Sequence, residues 1–146
     1  MGKMTQMLEI RLIQSDIEYK DVLEVRNAVF IKEQNIPQTI EYDGLDKESF
    51  HVLVKLDEIS IGCARIRSID GKIKLERIAI LKDFRNKGYG KRLMQYLVSY
   101  CEGKKSTEII IHAQYYLREF YEKLGFKPRG EIFLEAGIKH IEMYRK

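Results

Sequence analysis

The chain has 146 residues, 45% of them hydrophobic, and its 26 basic against 22 acidic side chains give a formal charge of +4. This length predicts one domain over residues 1–146, with a core large enough to need no metal or disulfide staple, and the hydrophobic content excludes disorder. The mild charge suits a small anion rather than nucleic acid, and no apolar run approaches the roughly 18 residues of a membrane span.

Met1–Gln6 lacks the apolar core of a secretory leader, and Gln6 stands where myristoylation needs Ser or Thr. Cys63 and Cys101 have no CxxC partner, so the expected location is a reducing cytoplasm. The first strand is predicted over Leu8–Ile13, where apolar and polar residues alternate. Ser15 with Glu18 forms a capping-box pattern, and the helix that follows carries Val22, Leu23, Arg26, Val29 and Phe30. From Lys32 to Ser49 the pattern breaks into a polar loop or short helix with Pro37, Gly44 and the acids Glu41, Asp43, Asp46 and Glu48. Strands are predicted at Phe50–Leu56, Ile59–Ile69 and Lys72–Leu81, the last two joined by an Asp70-Gly71 hairpin turn. A helix over about Gly88–Cys101 groups Tyr89, Leu93, Tyr96, Leu97, Tyr100 and Cys101 on one face. A short buried strand, Glu108–His112, and a helix, Gln114–Leu124, closed by Gly125, come next. Two final strands, Arg129–Leu134 and Ile138–Tyr144, turn at Ala136-Gly137. The order β-α-β-β-β-α-β-α-β-β describes a mixed α/β (α+β) domain.

The chemistry is concentrated in Arg85-Asn86-Lys87-Gly88-Tyr89-Gly90-Lys91, which follows a strand and opens a helix. The free N–H groups of a helix's first turn and its partial positive charge suit a pyrophosphate there. Gly88 and Gly90 let the backbone approach a ligand closely, and Arg85, Lys87 and Lys91 add positive charge. A P-loop is excluded because Lys91 precedes Arg92 instead of Ser or Thr, and a dinucleotide fingerprint fails at Leu93. The string matches R-x-x-G-x-G, and with the preceding Leu75–Ile80 strand and the downstream Phe120-Tyr121-Glu122-Lys123-Leu124-Gly125-Phe126 it resembles the GNAT acyltransferase superfamily. The resemblance covers nearly the whole chain. Phe30–Pro37, His51–Val54, His112-Ala113-Gln114 and Glu135–His140 resemble its ElaA/YjcF-like branch. Arg26, Phe30, Asp43, Asp46 and Arg65 also resemble the acyl-homoserine-lactone synthases, although this chain is shorter, has no tryptophan and keeps Tyr121.

The GNAT resemblance implies direct acyl transfer from coenzyme A, acetyl-CoA first, to a primary amine of a small molecule or protein. The cofactor's pyrophosphate would lie on amides from Asn86 to Lys91, its pantetheine arm beside Ile78 and Ile80, and Gln114 would stand near that arm. Tyr121 matches the family's proton donor, with a core tyrosine as the plain alternative. Glu76 is the expected base, with a surface glutamate or a water chain as alternatives. For the acceptor, Glu33, Asp43 and their acidic neighbours would attract a cation, whereas Arg65 or Arg67 facing the cleft would favour a carboxylate. His112 would line the cleft, act as a base or serve structurally. His51, His112 and His140 are too scattered for a metal motif, so no metal is expected. The rival readings are a non-catalytic acyl-CoA-binding or regulatory module and an acyl-homoserine-lactone-synthase-like enzyme. An open strand edge at the end of the fold also makes a homodimer an expectation.

Overall fold

The computed structural model describes residues 6–146, and the reading of the N-terminal segment falls mostly on residues 1–5, outside the described residues. Seven strands form one sheet: β1 (Leu8–Leu12), β2 (Phe50–Leu56), β3 (Ile59–Ile69), β4 (Lys72–Ile80), β5 (Ile109–Gln114), β6 (Lys127–Glu135) and β7 (Ile138–Arg145). Their order across the sheet is β1-β2-β3-β4-β5-β7-β6, and every neighbouring pair is antiparallel except β4–β5. The predicted mixed α/β class and element order are those observed. β5 runs two residues beyond the expected His112 because Ala113 and Gln114 still pair with Ile141 and His140.

Helix α1 (Asp16–Arg26) starts as its sequence dictates: Ser15 Oγ accepts from the Glu18 amide at 3.2 Å, and the Glu18 carboxylate accepts from the Gln14 amide. Of the loop or short helix expected from Lys32, the short helix is observed, after a continuation of α1 whose π-helical form the sequence did not suggest. A π-helical turn, Asn27–Glu33, extends α1, and the short helix α2 (Gln38–Glu41) and a 3₁₀ turn, Asp46–Glu48, follow. Val22, Val25, Val29 and Phe30 pack on Leu53, Cys63 and Ala79 of one sheet face. Helix α3 (Tyr89–Glu102) buries Leu93, Met94, Leu97 and Cys101 on the other face, each large side chain contributing about 1.5–3 kcal/mol. Both cysteines are free and buried, and burial pushes the Cys63 thiol up to about 12 and Cys101 up to about 11. The predicted helix at Gln114–Leu124 is shorter: a 3₁₀ turn, Tyr115–Leu117, leads into α4 (Arg118–Glu122). Gly125, at φ +91°, then lets the Phe126 amide reach back to the Tyr121 carbonyl.

Two irregularities open a space in the sheet. The parallel β4–β5 pair has only three rungs, Ile73 with Ile109, Lys74 with Ile110 and Leu75 with Ile111, after which the strands part. On its other side β4 bulges: Cys63 pairs with Ala79 and Arg65 with Glu76, so Arg77 and Ile78 together oppose Ala64. Arg77 takes φ +53° there. β3 meets this bulge with Gly62, where a Cβ would fall 2.6 Å from Ile80 Cδ1 and 2.8 Å from the Ala79 carbonyl oxygen. No helix among the described residues is long and apolar enough to cross a membrane.

Candidate active site

The loop before α3 forms an anion cradle. Asn86 (φ +62°) and Gly88 (φ +87°) are both left-handed, and the first helical bond is from the Arg92 amide to the Gly88 carbonyl. The amides of Tyr89, Gly90 and Lys91 therefore precede any intrahelical acceptor, and no side chain caps them. Gly88 is required by its backbone angle alone, since nothing lies within 4 Å of where its Cβ would stand. Gly90 is different: its Cβ would meet Phe120 Cζ at 3.7 Å, an ordinary contact. Lys87 holds its ammonium 5.8 Å above the Phe84 ring. Arg85 is committed within the protein, donating to the Ile80 carbonyl at 2.9 Å and to both Glu33 oxygens at 2.6 and 2.7 Å. Two sequence candidates thus hold each other, and the Arg85 bonds keep Glu33 below the usual carboxylate range.

From this cradle a cavity of about 800 Å³ runs along the gap between β4 and β5. Ile78 and Ile80 line it on β4, and Gln114, at the end of β5, lines the opposite side. Gln114 exchanges amide hydrogen bonds with Gln34 at 2.9 and 3.3 Å, joining the end of the π-helical turn to β5. Tyr121 lines the cavity from α4, is 5% exposed, and packs edge-on against Phe120 and Phe126. Burial raises its pKa well above 10, so the phenol keeps its proton at neutral pH.

The face of β3 and β4 beneath α1 carries a connected ion network. Arg26, Arg65, Arg67, Lys74 and Arg77 are its five cations, and Glu41, Asp43, Asp46 and Glu76 its four carboxylates. Glu76 lines the cavity as its strand position predicts, but Arg65 and Arg67 donate to its oxygens and Lys74 stands 3.4 Å away. Burial opposes its ionisation, yet these cations outweigh burial and keep the carboxyl below its usual range. Such a carboxylate is poorly placed to take a proton. The two-residue turn at Asp70-Gly71 sets the register that pairs Arg65 with Glu76 and Arg67 with Lys74, so this ring of cations is legible once the turn is counted. Arg65 has no exposed surface and bonds Asp43, Asp46 and Glu76, which removes it from any acceptor contact. Asp43 lines the cavity with both oxygens taken, and Arg65 holds it far below the usual range.

Two histidines lie across the cavity. His112 Nε2 is 3.1 Å from Glu142; a carboxylate only accepts, so Nε2 carries the proton, and Nδ1 is buried without a partner. His140, which pairs with Gln114 in register, has Nδ1 2.7 Å from the Ile138 carbonyl, so Nδ1 donates and Nε2 is the nitrogen left to exchange a proton. Glu135 Oε2 is 3.5 Å from that Nε2, and Phe133 stacks on the ring. His140 and Gln34 were not legible as site residues, because only the β5–β7 pairing and the folded loop bring them to the cavity, and Arg77, on β4 itself, lines it at the bulge.

The sheet is thus interrupted between β4 and β5, with a helix-terminal anion cradle at the gap. The family model "Acetyltransferase (GNAT) domain" matches residues 13–146, and the chain belongs to that family. It is 38% identical over 135 residues to the "Uncharacterized N-acetyltransferase YjcF" of Bacillus subtilis (strain 168), covering 92% of this chain and 96% of that protein. The crystal structure of Escherichia coli ElaA is 28% identical with a TM-score of 0.85, covering 96% of this chain and 100% of that one. An acyl-CoA N-acyltransferase from Pseudomonas aeruginosa is 26% identical with a TM-score of 0.85, covering 97% and 100%.

Proposed function

We propose that the protein is an N-acyltransferase that moves an acyl group, acetyl first, from coenzyme A to a primary amine. The observation that carries this reading is the gap after the third β4–β5 rung, which connects the free amides of α3 to Tyr121 through one cavity. Amides of Tyr89, Gly90 and Lys91 suit the pyrophosphate, and the edge of β4 at Ile78 and Ile80, no longer paired with β5, suits a strand-like pantetheine arm. Coenzyme A supplies the acyl group as an activated thioester. A C–N bond forms as the C–S bond breaks, and two protons must move. His140 Nε2, not used by the Ile138 carbonyl and beside Glu135, receives the proton the amine loses, while Tyr121 Oη holds the one a departing thiolate needs. Glu76, ringed by cations, is replaced by His140 in the base role. The match of the Pseudomonas aeruginosa acyl-CoA N-acyltransferase supports the same donor class.

Calorimetry with acetyl-CoA, alongside thiol release with a panel of amines, tests this. Tyr121→Phe should lower kcat by about 10²–10⁴-fold and leave acetyl-CoA affinity nearly unchanged. Binding without thiol release for any amine would mark a non-catalytic acyl-CoA module. No binding would remove the cofactor assignment altogether.

A further inference from the structure

We propose that the acceptor is an amine that also carries a carboxylate, held by Arg67 and Lys74 in the cavity wall. This rests on the acyltransferase reading and names a substrate class for it. Along this wall the carboxylates Glu41, Asp43 and Glu76 are used, and two of the cations keep donors over. Glu41 Oε2 accepts from Arg26 and its Oε1 is paired with Arg77. Asp43 divides its two oxygens among Arg65, Arg77 and the Leu45 amide. Glu76 has three guanidinium contacts on Oε1, and Arg67 and Lys74 on Oε2. A cationic acceptor finds no free carboxylate among these three.

The cations retain capacity. Among the described residues Lys74 has one ionic partner, Glu76 Oε2 at 3.4 Å, which is long for a charged hydrogen bond. Arg67 bonds Glu76 through Nε and Nη2, which leaves Nη1 over. Arg67 and Lys74 are register partners on β3 and β4, and both reach the same Glu76 oxygen, so the two cationic groups stand side by side in this wall. Both side chains line the cavity and are only 18% and 16% exposed, where a charge-assisted bond is less screened than at the surface. The charge count agrees. Five cations face four carboxylates, and His51, which adjoins Asp46, is pushed toward its neutral form by burial. One monoanion completes the network.

The test measures thiol release from saturating acetyl-CoA with free amino acids and with the carboxamide of each, spermidine and O-phosphoethanolamine as further arms. The expected result is a preference for the acid over its carboxamide of about 10–100-fold in kcat/KM. Lys74→Met should shrink that ratio to about threefold or less while acetyl-CoA affinity holds, and Lys74→Arg should preserve the ratio. A thermal melt of each variant separates this from misfolding. Failure of every carboxylate-bearing amine, or preference for spermidine, for the carboxamides or for O-phosphoethanolamine, overturns the proposal. Turnover of those other amines would leave the acyltransferase reading standing, whereas a parent that does not bind acetyl-CoA removes the reading beneath it.

Discussion

Arg26 and Arg65 have no exposed surface, yet both are fully paired, and that pairing makes the protein sensitive to acid. Burial works against the ionised forms of Asp46 and Glu76, but Tyr19, Arg26 and Arg65 at Asp46, and Arg67, Arg65 and Lys74 at Glu76, outweigh it, and both carboxyls are held below their ordinary values, as Asp43 is by Arg65. A carboxyl with a lowered folded pKa contributes stability that is complete above its unfolded value and is lost as the pH falls through the folded one. With ordinary values of 3.8 for Asp and 4.5 for Glu, the melting temperature should begin its steep fall below about pH 4.5. His51 adds a gentler loss below its ordinary 6.5, because burial opposes the proton that the unfolded chain takes up. Melting curves between pH 3 and pH 8 check both, and a flat profile through pH 4 would contradict the network's electrostatic role. Arg65 and Arg67 alternate on one strand and were equally eligible for the cleft. Only the folding of the acidic loop over β3 buries one and leaves the other at the cavity.

At the level of elements, the three glycines around the cradle and bulge separate three kinds of requirement. Gly62→Ala puts a Cβ against a backbone carbonyl, so β3 and β4 must move apart; it should cost about 1–3 kcal/mol and weaken acetyl-CoA binding by disturbing the bulge. Gly88→Ala meets no atoms but must hold φ +87°, a cost of about 1–2 kcal/mol. Gly90→Ala should be tolerated, as its Cβ makes ordinary contact with Phe120 and alanine favours a helix. Denaturant unfolding of the three variants should rank them in that sense, and equal losses would reject it. Helix α3 was legible to within a residue because its apolar stripe repeats over four turns. The π-helical turn was not, and α2 was legible only as one of two options, loop or short helix, since ties such as the Arg26–Glu41 pair, and not local periodicity, hold that segment.

Over the whole molecule, the strands and their chain order could be read from alternation and turn residues, while the insertion of β7 between β5 and β6 could not. Strand order is set by which edges meet in the fold, and no local pattern encodes it. The outcome is a sheet of two parts, β1–β4 and β5-β7-β6, joined directly by three parallel rungs. Acetyl-CoA at about 100 times its Kd should stabilise the fold by about 2.7 kcal/mol. Hydrogen exchange should slow at Ile78 and Ile80, and no change there would deny the arm its place along β4. In mechanical terms the sheet is two plates sharing a short seam, and whatever lies in the slot touches both. The seam ends at Leu75 and Ile111, one residue before Glu76 and His112, so the brief contact that leaves room for a ligand also sets where the two walls begin to part.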